Sequence, residues 1–214
     1  RWAPDGKWIA YLGIADPLDH RATSNTELFV APASGGKPLR LTQSTDYDLD
    51  TGTLSDMGEL GGEFLEWLPD SSGLYLRIGC HGEGQIARAR LDGKFEMLTK
   101  GWHVLSPASV SRDGKAIACT ITNPAMPAEI ALVEPRKKAL KVLTKLNDEV
   151  MKGLVVVPEV LHLNALDGYP VHAWVIWPKV GKAKRTPAVL EIHGGPQAQY
   201  GWTYFHEFQV LAAA

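Results

Sequence analysis

Cysteine is scarce in this chain of 214 residues: only Cys80 and Cys119 occur. Two are too few for a disulfide framework, and both sit in apolar, strand-like runs, where a thiol acts as a small hydrophobe. Long apolar runs are missing as well. None approaches the roughly 18 residues of a membrane-spanning helix, so no membrane segment is expected. A basic excess is also absent. The net charge of −2 leaves little to neutralise phosphates, which argues against nucleic acid as a partner. The one basic cluster, four cations between Lys179 and Arg185, reads as a solvated loop between strands. Serine, aspartate and cysteine all disappear after Asp167. The first residue is Arg1, inside a repeat motif, so the compartment stays open, with the cytoplasm slightly favoured, and the oligomeric state is not legible.

What is present is a repeat. Trp2-Ala3-Pro4-Asp5-Gly6-Lys7-Trp8 returns as Trp67-Leu68-Pro69-Asp70-Ser71-Ser72-Gly73 and again as Val110-Ser111-Arg112-Asp113-Gly114-Lys115. Each copy reads as a tight turn: proline presets φ, aspartate bonds the backbone two residues on, and glycine takes positive φ. A strand follows each turn, and each repeat closes on Leu-Thr, at Leu41-Thr42, Leu98-Thr99 and Leu143-Thr144. The aspartates lie 65 and 43 residues apart and the Leu-Thr pairs 57 and 45, a period near that of a four-stranded propeller blade with one insertion. The acidic, glycine-rich stretch Asp46 to Gly62 is the place for that insertion, read as a long loop between blades. Blades are expected at about 1–43, 63–100 and 104–146. Three do not close a ring, so the chain is expected to be cut within a propeller. Trp2 and Trp67, at equivalent positions, are expected to pack between blades. Asp5, Asp70 and Asp113 are turn residues, not catalytic acids.

Near residue 150 the repeat stops, giving an expected division into 1–150, a partial β-propeller, and 151–214. Glu159 to Ala165 alternates in polarity, Asp167-Gly168 makes a turn, and Val171 to Trp177 forms a return strand. Ala188 to Ile192 is a short apolar run expected to be a buried central strand, and it leads straight into His193-Gly194-Gly195-Pro196. Phe205, Phe208, Leu211 and Ala212 have helical spacing. Strands, a glycine loop and then a helix are how an α/β-hydrolase domain opens.

This order of Trp-x-Pro-Asp-Gly blades, hairpin, strand, His-Gly-Gly-Pro and aromatic helix resembles the prolyl oligopeptidase family. It is most similar to the acylaminoacyl-peptidase branch, the stretch from Leu190 to Ala213 being the specific part. The resemblance implies a serine peptidase whose propeller caps the active site and admits short peptides. It implies a triad in the order Ser, Asp, His, the serine on a Gly-x-Ser-x-Gly elbow. No such elbow occurs in the sequence, so nucleophile, acid and base are absent from the chain. One group carries over: the backbone N–H of Gly195 as half of an oxyanion hole, with His193, Gly194 and Pro196 shaping the loop. His193 is expected to brace that loop and not to act as the base. No cofactor is implied and no metal, since the spacings of His172, His193 and His206 match no short ligand motif.

Two other readings stay open. One is a non-catalytic propeller that binds a peptide or protein. The other is an esterase of the same fold acting on small esters, because His-Gly-Gly loops serve esterases too. Glu59, Glu63 and Glu66 are candidate acids for a peptide amine but read better as a solvated inter-blade loop. The 214-residue chain alone is expected to show no peptidase turnover.

Overall fold

A computed structural model describes residues 1–16, 18, 24–58, 63–179, 185–194 and 198–214. The first two thirds form three antiparallel blades. In blade one, Trp2 bridges to Ile9, and β1 (Trp8–Gly13), β2 (Glu27–Pro32) and β3 (Leu39–Arg40) follow in order. After β4 (Gly52–Thr53), blade two is built from β5 (Leu65–Trp67), β6 (Gly73–Cys80), β7 (Glu83–Arg90) and β8 (Phe95–Met97). Blade three is β9 (Val104–Val110), β10 (Ile117–Asn123), β11 (Met126–Glu134) and β12 (Ala139–Val142). A single parallel bridge, Gly84 to Val104, joins blades two and three. The chain then makes a short helix, α1 (Asp148–Met151), the hairpin β13 (Glu159–Asn164) and β14 (Pro170–Val175), then β15 (Ala198–Gln199) and α2 (His206–Ala213). Among the described residues no ring closes. The fold is a partial propeller followed by the opening of an α/β-hydrolase domain.

Blade two is buried on both faces, and its sequence shows it. Leu74, Leu76 and Ile78 on β6 pack toward blade one with Ala10, Leu28 and Val30. Tyr75, between them, packs toward blade three with Leu105, Ile117 and Ala131. Period-two alternation therefore serves two cores, and β6 is apolar on both faces except at Arg77. Trp67 is buried, and its Nε1 donates to Arg1 O at 3.1 Å, locking blade two onto blade one. Trp2, expected to do the same, is 63% exposed, because no described element lies on the other side of blade one.

The repeated turns do the work expected of them. Asp5 Oδ1 accepts from Lys7 N at 2.9 Å, Asp70 Oδ1 from Ser72 N at 3.0 Å and Asp113 Oδ1 from Lys115 N at 3.1 Å. The Leu-Thr ends have a reason that the sequence did not disclose. The threonine hydroxyl accepts a strand N–H in all three blades: Leu28 N to Thr42 at 3.0 Å, Ile86 N to Thr99 at 2.9 Å and Ile130 N to Thr144 at 2.8 Å. In blades two and three the same hydroxyl donates to a buried Gln85 or Glu129. The short outer strand is thus tied to its neighbour by a side chain where the ladder runs out.

Strand alternation puts the Asp turns at one end of the blades. The β6–β7 turn, the β10–β11 turn and the inter-blade loops lie at the other end, and the last third of the chain packs there. A further expectation fails. Ala188 to Ile192 is not a buried strand: it has no regular structure, and Val189, Leu190 and Ile192 are 64%, 81% and 78% exposed. A central strand takes its pairing and burial from neighbours on both sides, and the described residues supply none beside it. The basic cluster from Lys179 to Arg185 lies largely outside the described residues.

Glu129 secures the exit from blade three. It is 1% exposed and accepts from Leu146 N at 3.0 Å and Asn147 N at 3.0 Å. Burial pushes its carboxyl up, but hydrogen bonds from Thr144, Leu146 and Asn147 outweigh this and hold it below the usual range. Its folded-state pKa is depressed, so its stabilisation is present above the ordinary value of 4.5 and is lost as pH falls below it. Glu129→Gln turns an acceptor toward donors as an amide N–H₂ and is expected to cost about 1–3 kcal/mol. Melting at pH 7 checks this, and the difference from the parent should shrink toward pH 3.

Candidate functional site at the glycine loop

Among the described residues, the polypeptide enters the glycine loop with no strand partner and leaves it under close control. His193 is exposed, and its Nδ1 lies 2.6 Å from Gly194 O. A carbonyl only accepts, so this contact puts the ring proton on Nδ1. The His193 ring meets the edge of Tyr200 at 5.7 Å, and Tyr200 in turn meets Phe205 and Phe208, each at 5.5 Å. Phe205 and Phe208 stack at 4.2 Å. The two ends of the loop are thereby clipped together by aromatic rings. Burial, then Glu191 and Glu207, raise the Tyr200 phenol, which keeps its hydroxyl neutral. Gly195 and Pro196 lie outside the described residues.

Beyond the loop the chain is held by the propeller. β15 pairs in parallel with β4, which belongs to the long loop between blades one and two. Leu54 N donates to Gln199 O at 2.9 Å, Thr203 Oγ1 to Leu54 O at 2.9 Å and Ser55 Oγ to Tyr204 O at 2.9 Å. The Gln199 amide is used at both ends. Its Oε1 accepts from Gly82 N at 3.0 Å, and its Nε2 donates to Thr53 Oγ1 at 2.9 Å and Glu83 O at 3.2 Å. Behind β4 stands Arg77, 2% exposed, which donates to Thr51 O at 2.9 Å and Leu105 O at 3.2 Å. Burial pushes this guanidinium down to about 10.

Gly201 meets Gly82 backbone to backbone. A Cβ on Gly201 would stand 2.0 Å from Gly82 O, and a Cβ on Gly82 would stand 2.9 Å from Gly201 Cα. Trp202 N donates to Gly82 O at 2.8 Å, sealing the same junction. The Trp202 indole is buried between Trp102, stacked on it at 4.7 Å, and Trp174 of the hairpin, edge-on at 5.8 Å. Helix α2 begins with no cap from its own N-cap residue, Phe205. Asp56 caps it instead, accepting from His206 N at 2.8 Å and Glu207 N at 2.7 Å. Gln209 of α2 accepts from Val156 N at 2.8 Å and donates to Val156 O at 2.9 Å, fixing the chain that leaves blade three.

The other sequence candidates do not gather here. Glu66 pairs with Arg1 at 3.2 Å, Glu63 is exposed, and Glu59 lies outside the described residues. His172 faces His81 at 5.2 Å and His162 at 5.9 Å, and His206 sits at the start of α2, so neither accompanies His193. Among the described residues no cluster has the donors of a metal site. Asp56, Gln199 and the Gly82–Gly201 contact escaped sequence reasoning. Their only signal was that Gln199 to Trp202 lies in the stretch that resembles hydrolases.

No family model matches the chain. It is 32% identical over 181 residues to the uncharacterized peptidase YuxL of Bacillus subtilis, covering 83% of this chain and 27% of that protein. It is 26% identical over 218 residues to dipeptidyl-peptidase 5 of Porphyromonas gingivalis, covering 99% of this chain and 29% of that one. The acylaminoacyl peptidase of Pyrococcus horikoshii superposes on 98% of the chain with a TM-score of 0.72 at 18% identity, and the match covers 29% of that protein. Propeller and hydrolase opening define the class, and the chain belongs to the prolyl oligopeptidase family of peptidases. It spans less than a third of the length of these relatives.

Two outcomes follow for the junction. Gly201→Ala forces two backbones apart and is expected to destabilise the chain by about 1–3 kcal/mol, as overpacking does, read by thermal melting. His103, next to Trp102, is buried, and its Nε2 meets no partner among the described residues. Burial lowers its pKa from the ordinary 6.5. The folded state therefore binds this proton less well than the unfolded state, and stability falls as pH drops below about 6.5. Melting temperature against pH should fall across this window, and the fall should be shallower in His103→Gln.

Proposed function

We propose that this chain is the part of a serine-type peptidase that joins the propeller to the hydrolase, with residues 1–150 the partial propeller and 151–214 the opening of the catalytic domain. In this reading the backbone N–H of Gly195 is one half of the oxyanion hole. A serine oxygen attacks the peptide carbonyl, and the carbonyl oxygen takes up the negative charge. The N–H of Gly195 and a second N–H, next to the nucleophile, hold that charge. Collapse expels the amine, which leaves with a proton from the base. Water then attacks the acyl-enzyme and releases the acid. The nucleophile, acid and base of this reaction are not carried by residues of this sequence that match the family's motifs. Substrates are short peptides that enter past the propeller, and no cofactor takes part.

One observation carries the reading. The segment after His-Gly-Gly-Pro is fastened to the face of the propeller by its own backbone, at Gln199, Gly201 and Trp202. A preorganised donor needs such a fixed loop, because an oxyanion hole acts without reorganising when charge develops. The glycines fit this use, since a side chain would obstruct the approach of a substrate carbonyl. The relatives named above support a peptidase over an esterase.

The test is a longer chain that includes a Gly-x-Ser-x-Gly elbow. It should hydrolyse an acyl-alanine or aminoacyl p-nitroanilide and be silenced by a fluorophosphonate, while the 214-residue chain does neither. Gly195→Pro deletes the N–H and should lower kcat by about 10²–10³-fold, whereas Gly195→Ala, which keeps it, should not. Equal rates for Gly195→Pro and its parent would contradict the assignment.

A further inference from the structure

We infer that the long loop between blades one and two is a positioning element for the glycine loop, acting through Gln199 and Asp56. This rests on the reading of His193 to Pro196 as an oxyanion-hole loop.

The two ends of that loop are held unequally. On its entry side, 188–192 is exposed and has no strand partner among the described residues. On its exit side, Gln199 stands three residues after Pro196. It is bound by side chain and backbone to three propeller pieces: β4, the β6–β7 turn and the start of β7. Seven residues further, Asp56 binds the first two N–H groups of α2, groups that otherwise face water. Ser55 and Thr203 fill the interval. Apart from those at Gly82 and Glu83, these contacts on the propeller side come from residues 52–56, and blade three adds Thr122, whose hydroxyl accepts from Tyr204 N at 3.2 Å. The loop exceeds what joining two blades requires. Blades two and three are joined by the short stretch from Leu98 to His103. Among the described residues the extra stretch forms no blade strand. It supplies β4 and the cap Asp56, both directed at the segment behind the glycine loop, and the carbonyl of Thr51, which ties this loop to Arg77 of blade two.

Gln199 and Asp56 touch no reacting atom, so their effect belongs to turnover and not to binding of the ground state. The test has two arms. In the first, amide hydrogen exchange is followed in this chain for Asp56→Ala, Asp56→Asn and Gln199→Ala. Exchange over 198–209 should speed up about tenfold or more in the two alanine variants, with β6 and β7 amides unchanged as the control for folding. Asp56→Asn, which still caps, should restore most of the protection. Asp56 lies in an exposed turn, so its variants stay informative if Gln199→Ala fails to fold. Unchanged exchange over 198–209 overturns the inference. In the second arm, kcat and KM are measured in the longer, peptide-hydrolysing chain. Asp56→Ala should lower kcat about tenfold and leave KM within about twofold, a split that a general loss of folded protein does not produce. If Gly195→Pro lowers kcat and Asp56→Ala does not, the positioning role falls alone. If neither does, the oxyanion reading falls with it.

Discussion

Two glycines in contact are the constraint on which the rest of this structure depends. Gly82 lies in a propeller turn and Gly201 in the hydrolase segment, and their backbones approach with no room for a methyl group. That closeness allows Trp202 N to reach Gly82 O, Gln199 to reach the N–H of Gly82, and the indole of Trp202 to slide between Trp102 and Trp174. The two parts of the chain are therefore joined by hydrogen bonds of fixed geometry as well as by apolar packing. Hydrophobic burial is non-directional and would tolerate sliding of one part over the other. A glycine contact flanked by the hydrogen bonds of Gln199, Trp202 and Thr203 does not. This is the property that a loop with a catalytic donor requires.

The blades serve this junction by being stiff. Blade two is sandwiched, with Leu74, Leu76 and Ile78 on one face and Tyr75 on the other, and its outer strand is fastened by Thr99 to Ile86 and Gln85. Arg77 is the exception in this apolar setting. It carries a charge into the interior with carbonyls as its main acceptors, an arrangement that costs stability compared with an apolar side chain. It is tolerated where it holds the strand on which β15 rests. The residue that breaks the local rule of the core sits directly behind the candidate site.

Much of the fold was legible because its signals are local. The Asp-Gly turns, the blade period, the hairpin around Asp167-Gly168 and the helix after Tyr204 all depend on residues close in sequence. Trp2 and the run from Ala188 to Ile192 were misjudged for one reason. Their burial depends on neighbours that the described residues do not provide, and periodicity reports a residue's preference, not its partner. The long loop from Asp46 to Gly62 was located correctly but read as a mere connection. Its acidic and glycine-rich composition carries no sign that Asp56 caps a helix 150 residues away. The glycine loop is a reading of its motif alone. The contacts that hold it, from Gln199 and Gly82, link residues 117 apart and were beyond any local pattern.

The most direct test is a crystal structure of a longer chain, one that contains the nucleophile, trapped with a peptide trifluoromethyl ketone. Such a ligand forms a tetrahedral adduct whose oxygen marks the oxyanion position. Gly195 N is expected within about 2.7–3.1 Å of that oxygen, with Gln199 still bound to Gly82 and Thr53. An adduct oxygen held by other donors, with Gly195 N turned away from it, would contradict the account.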